Sequence, residues 1–79
     1  MKSILLTGAL GQLGSEFVTV LRSRFGADKV VATDIRASAN PKIIEEGPFY
    51  QLDARDGARL LEIVRRHRVD MIFHLAALL

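Results

Sequence analysis

Apolar side chains gather in four short runs along the chain, at residues 4–6, 30–32, 49–52 and 71–79. Between the first and second runs, and again between the third and fourth, apolar residues recur every three or four positions. Short runs without polar alternation read as strands buried on both faces, and the longer periodic stretches read as amphipathic helices. The pattern predicts a strand at 2–7, a helix at 12–25, a strand at 29–34, a loop at 35–48, a strand at 49–52, a helix at 57–68 and a strand at 69–75.

The first helix places Leu13, Phe17, Val20, Leu21 and Phe25 on its expected core face; the second draws its buried side from Leu60, Leu61, Ile63 and Val64. Arg22 and Arg24 fall in the last turns of the first helix, where cations suit the dipole; Arg65-Arg66-His67-Arg68 likewise ends the second helix, and such a run is ordinarily a solvated face. Gly26 suits a C-cap and Asp56 an N-cap. Pro41, Gly47 and Pro48 break the segment between the second and third strands, and Glu45-Glu46 reads as a solvated pair. The fold class is therefore α/β. Right-handed crossovers in this element order give a parallel sheet ordered 3-2-1-4 with flanking helices, a Rossmann-type arrangement. A ligand belongs over the carboxyl ends of strands one and four, where the winding changes direction.

That is where the chain carries its glycines. Gly8, Gly11 and Gly14 follow the first strand at a spacing of three and lead into the first helix. A helix N-terminus has unpaired N–H groups and partial positive charge, which attract a pyrophosphate, and glycine keeps side chains out of its way. Gly8 suits the tight turn, Gly11 close backbone approach, and Gly14 packing of helix on strand. Such a motif also occurs in ordinary turns, but the second strand ends in Asp34, 20 residues after Gly14. An acid at that place hydrogen-bonds the adenosine ribose hydroxyls of a dinucleotide, with a strand-closing turn residue as the plainer alternative. A carboxylate repels a 2′-phosphate, so Asp34 argues for NAD over NADP, against Arg36 two positions on.

Composition narrows the possibilities. Seventy-nine residues allow one small domain at most. The absence of cysteine rules out disulfides and thiolate metal sites and fits a cytoplasmic protein, and two histidines make a metal centre an unpromising reading. No apolar run reaches membrane-spanning length. The net charge of +2 comes from interspersed acids and bases, without the basic stripe of a nucleic-acid binder. Because domains seldom stop on a strand that looks buried on both faces, residues 1–79 read as the N-terminal part of a larger nucleotide-binding domain.

Taken together, Thr7-Gly8-x-x-Gly11-x-x-Gly14, Asp34, Leu52-Asp53-Ala54-Arg55-Asp56 and His74-Leu75-Ala76-Ala77 resemble the extended short-chain dehydrogenase/reductases, the NAD-dependent epimerase/dehydratase family, across essentially the whole chain. The resemblance implies that Asp53, with Ala54 beside it, meets the adenine amino group, and that Leu75, Ala76 and Ala77 line the cofactor's ribose and pyrophosphate. It also places Gln12, Leu13, Ile35 and Arg36 in the cofactor-binding set beside the glycines and Asp34. His74 is read as a packed strand residue and Asp56 as structural. Within the family, Gly8-Ala9-Leu10-Gly11-Gln12-Leu13-Gly14, Leu21-Arg22-x-Arg24-Phe25-Gly26, Thr33-Asp34-Ile35-Arg36, Gly47-Pro48-Phe49 and His74-Leu75-Ala76-Ala77-Leu78-Leu79 look like the short-chain branch of L-threonine 3-dehydrogenases. That branch oxidises L-threonine to 2-amino-3-ketobutyrate with NAD; the small-molecule substrate and a homodimer are what this likeness implies. Sugar-nucleotide epimerases or dehydratases, and a non-catalytic NAD sensor, are the alternatives. The family's chemistry uses a Tyr-x-x-x-Lys pair. The single tyrosine, Tyr50, is followed at the fourth position by Ala54, so no catalytic residue is assigned and the segment alone is expected to be inactive.

Overall fold

The two central strands set the layers. In the computed structural model, which describes residues 3–37 and 41–75, β1 (Ser3–Thr7) and β2 (Val30–Asp34) are buried along their whole length. Successive side chains on a strand point to opposite faces, so each of these strands feeds two cores. Ile4, Leu6, Val30 and Ala32 meet Val18 and Leu21 of α1 (Gln12–Phe25) and Ile43 of α2 (Pro41–Glu45) on one side. Leu5 and Val31 meet Leu52 and Ile63, the latter from α3 (Gly57–His67), on the other. The sheet is parallel in the order β3-β2-β1-β4, with β3 at Phe49–Gln51 and β4 at Val69–His74. Ile4 stands beside Val30 on one side and Met71 on the other, and Ala32 beside Phe49. Strand order and parallel pairing agree with the expected 3-2-1-4 sheet, and the ends of the expected elements move by one or two residues.

The buried face of α1 differs from the expected stripe. Leu13 and Val20 are 66% and 60% exposed and Phe25 is exposed as well, whereas Gly14, Val18, Leu21 and Arg22 are buried. The reason is Gly14. A Cβ at that position would overlap the Gly8 carbonyl oxygen and lie 3.0 Å from the Ala9 Cα. The helix therefore rests on the turn with Gly14 at the point of contact, and the face one and two turns further on, at Val18 and Leu21-Arg22, follows it into the core. Phe17, on the margin of this face, packs edge-on against Phe73 with ring centroids 4.9 Å apart. In α3, Ile63 is buried, Leu60 and Val64 partly so, and Leu61 is exposed. Met71 and Ile72 of β4, expected to be covered on both faces, are about half exposed because β4 is the edge strand of the described sheet.

Arg22 does more than complement the helix dipole expected of it. Its guanidinium is buried and donates to three carbonyls: Nε to Val30 at 3.2 Å, Nη1 to Ile43 at 2.6 Å and Nη2 to Pro48 at 2.7 Å. One side chain thereby ties α1 to β2, α2 and the approach to β3. Burial pulls its pKa down, opposed by the charge of Glu46. Gly47 makes room for it, since a Cβ there would come within 2.7 Å of the guanidinium carbon. The expected loop between β2 and β3 holds α2 instead. Pro41 takes the first helical position, where its fixed φ suits a helix start, and Ile43 plugs the core.

The ends of α1 and α3 follow the sequence reading. Gly26 caps α1 at φ 106° with its N–H on the Arg22 carbonyl. The Asp56 carboxylate accepts from the Arg59 N–H at 3.2 Å, opening α3, and Arg68 closes it in a left-handed conformation at φ 53°. On this layer the Tyr50 hydroxyl and His67 Nε2 lie 2.6 Å apart, and the Ser3 hydroxyl donates to the His67 carbonyl at 2.7 Å.

Three expectations concern stability. In the full protein, Gly14→Ala costs about 3 kcal/mol or more, because backbone rather than a flexible side chain blocks the new methyl. Arg22→Met costs about 2–4 kcal/mol by withdrawing a buried three-donor group. Urea unfolding midpoints check both. Burial and the nearby Arg66 charge lower the His67 pKa below its ordinary 6.5. The unfolded chain then binds the proton more readily, so the contribution is complete above about pH 6.5 and is lost as pH falls through the folded value. Melting temperatures measured from pH 8 to pH 5 should fall on acidification, and His67→Gln should flatten that slope.

Candidate cofactor site

All four strands deliver their carboxyl ends to one cleft of about 740 Å³. The size is that of a small-molecule site. Its floor is the turn between β1 and α1. Gly8 sits at φ 70°, a conformation glycine adopts without strain, and this sends the Ala9 N–H to the Thr33 carbonyl at 2.9 Å. Gly11 is the N-cap of α1, offers no side-chain cap, and is followed by a first turn without acidic residues. Its missing Cβ leaves the N–H groups of that turn approachable, with the Gly8 oxygen 3.4 Å and Arg36 Nη2 3.7 Å from where the methyl would stand. Uncapped N–H groups, a helix dipole and an open backbone suit a pyrophosphate. Leu13 lines the cleft; Gln12 is exposed at the helix start and Gly14 lies under the turn, both outside the lining.

Asp34 closes β2 at the cleft wall with its side chain only 3% exposed. The carboxylate accepts the Leu10 N–H at 2.9 Å, which joins it to the glycine turn, and the Arg36 N–H at 2.9 Å. The Arg36 guanidinium adds Nε at 3.0 Å and Nη2 at 3.1 Å. Burial alone would push the Asp34 carboxyl up; the hydrogen bonds from Arg36 and Leu10 and the Arg36 charge outweigh it and hold the group ionised below its ordinary range. Asp34 is thus a cleft carboxylate rather than only a turn residue. Ile35 and Arg36 line the cleft beside it.

Asp53 and Ala54, from the segment after β3, form the neighbouring wall. Asp53 repeats the Asp34 geometry on its own Arg55, with the Arg55 N–H at 2.9 Å, Nε at 3.1 Å and Nη2 at 2.7 Å. These hydrogen bonds hold its pKa at about 2. From β4, His74 and Leu75 complete the lining. His74 is exposed in the cleft instead of packed, with Nδ1 2.7 Å from the Thr7 hydroxyl, while the Leu75 N–H reaches that same hydroxyl at 3.1 Å. Ala76 and Ala77 lie outside the described residues.

Four lining residues, Thr7, Leu52, Arg55 and His74, were not singled out from the sequence as ligand contacts. The repeated Asp-x-Arg pattern could have pointed to Arg55. The expected adjacency of the first and fourth strands could have pointed to Thr7 and His74, which stand opposite each other at the ends of β1 and β4. Chemically the cleft offers N–H donors and carboxylate acceptors, a set for binding and orienting. Tyr50 is not among its lining residues. Among the described residues no cluster of His, Cys, Asp and Glu could hold a metal ion, and no helix is long and apolar enough to cross a membrane.

Known proteins share this arrangement. An uncharacterized epimerase/dehydratase of Staphylococcus epidermidis is 48% identical over all 79 residues, which make up 25% of that protein. The structure of L-threonine dehydrogenase from Clostridium difficile superposes with a TM-score of 0.90 at 48% identity, over 100% of this chain and 25% of that one. UDP-glucose-4-epimerase from Stenotrophomonas maltophila, a structure with bound NAD and formylated UDP-arabinopyranose, superposes at 0.83 with 26% identity, over 100% of this chain and 25% of that one. The chain thus spans about a quarter of the length of these relatives. Residues 4–79 match the sequence profile of the NAD dependent epimerase/dehydratase family, and with its glycine turn, cleft carboxylate and 3-2-1-4 sheet the chain belongs to that family.

Proposed function

We propose that this chain is the N-terminal, cofactor-holding part of an NAD-dependent oxidoreductase, and that the full protein oxidises L-threonine to 2-amino-3-ketobutyrate. The observation that carries the first half is the junction of Asp34 with the glycine turn through the Leu10 N–H, which puts an ionised carboxylate and an uncapped helix N-terminus in one cleft. In this reading Gly8, Gly11, Gln12, Leu13 and Gly14 shape the pyrophosphate end. Asp34 and Ile35 take the adenosine ribose with Arg36 beside them at that end of the cleft, Asp53 and Ala54 the adenine, and Leu75, Ala76 and Ala77 the strand-four side. NAD, when bound, supplies the hydride acceptor. These residues orient it, and the acid/base chemistry falls to residues beyond the segment.

The threonine assignment is supported by the likeness to L-threonine dehydrogenases, 48% identical in the Clostridium difficile enzyme against 26% in the UDP-glucose-4-epimerase. The family's epimerases and dehydratases make a nucleotide sugar the second reading. We place the protein in the cytoplasm as a homodimer, in line with a cysteine-free sequence and with the resemblance that led to the family.

The full protein mixed with NAD and L-threonine is expected to produce NADH, followed at 340 nm, while residues 1–79 alone produce none. Threonine-independent behaviour, with NAD still bound, would move the substrate to the nucleotide sugars. Asp34→Asn should weaken NAD by about tenfold, since the lost charge-assisted hydrogen bonds are worth about 1.5 kcal/mol; titration calorimetry reads this directly.

A further inference from the structure

Asp34 already has a full set of donors. A carboxylate offers about four acceptor positions. Oδ1 is taken by the Arg36 N–H and Nε at 2.9 and 3.0 Å, and Oδ2 by the Leu10 N–H and Arg36 Nη2 at 2.9 and 3.1 Å. Two of these donors are backbone groups that stay with the turn. The other two belong to a side chain that is 55% exposed and carried just beyond the end of β2. They form a planar fork, one donor to each carboxylate oxygen. A ribose presents the same inventory, two adjacent hydroxyl donors.

We propose that Arg36 is a displaceable occupant of the adenosine-ribose position, a specificity-determining residue that an incoming diol must lift off Asp34. The proposal rests on the reading of this cleft as an NAD site and adds to it the competitor that NAD meets. The same fork forms between Arg55 and Asp53, so it is a local property of an Asp-x-Arg turn and needs no ligand to build it. Arg36 Nη2 also overhangs the glycine turn, 3.7 Å from where a Cβ of Gly11 would stand. Once lifted, the guanidinium stays beside the subsite. With a plain diol seated on Asp34 it has lost its partner. With a 2′-phosphate it has gained one. Arg36 therefore opposes NAD and assists NADP, while Asp34 does the reverse.

A neutral residue at position 36 should consequently move the two affinities in opposite directions. The test is calorimetric titration of the full protein, in the native form and as Arg36→Leu and Arg36→Lys, with NAD and with NADP. Arg36→Leu is expected to bind NAD about 2- to 5-fold more tightly and NADP more weakly by about the same factor, the range of a partly exposed ion pair. Arg36→Lys, a point charge without the fork, is expected to tighten NAD less and to keep NADP binding. NAD binding that is unchanged or weaker in both variants overturns the proposal. Loss of both nucleotides together marks Arg36 as a structural or adenine-stacking residue and overturns it as well. A native protein that binds neither nucleotide overturns the NAD reading, and the proposal with it.

Discussion

Everything at the ligand end of this molecule depends on backbone meeting backbone at Gly8 and Gly14. Because no methyl separates them, α1 begins directly on the β1 turn. That closeness points the helix's uncapped N–H groups into the cleft and brings the Leu10 N–H within reach of the Asp34 carboxylate. It also decides which face of α1 is buried, and so which residues of the helix reach α2 and β2. One absent side chain thus couples helix register, core composition and the electrostatics of the cleft.

The parts of the fold that were legible in the sequence are those set by local periodicity and by handedness. Buried strands announce themselves as unbroken apolar runs, and a right-handed crossover leaves little freedom in strand order once the elements are placed. The cleft was legible for the same reason: Gly8, Asp34, Asp53 and Leu75 sit at or just past strand ends and Gly11 in the turn that follows β1, so topology alone brings them together. Helix faces were less legible. A stripe of Leu13, Phe17, Val20 and Leu21 satisfies helical spacing, yet a glycine with no hydropathy of its own sets the rotation. Hydropathy also misleads at Arg22, whose charge hides three hydrogen bonds to carbonyls 8, 21 and 26 residues away that no local pattern encodes.

The short helix α2 is hard to read from the sequence because Pro41 also suits a breaker. Proline breaks a helix from within and opens one from its first position, and only Ile43 two residues on, buried against the sheet, decides between the two. His74 departs from the expected packing for a related reason. Its neighbours in sequence are apolar, but its neighbour in space is the Thr7 hydroxyl across the strand pair, and burial on an edge strand follows space rather than sequence.

Arg22 and Gly47 are separated by 25 positions and belong to different elements, yet they occupy one volume. A Cβ at 47 would come within 2.7 Å of the guanidinium and within 2.8 Å of the Ala27 carbonyl oxygen, so the arginine persists only where 47 stays bare, while backbone holds 47 bare whether or not the arginine is there. The dependence runs one way. Among descendants of this sequence the glycine should outlast the arginine, and a homologue that keeps the arginine beside a side chain at 47 must have rebuilt the corner where α1, α2 and β2 meet.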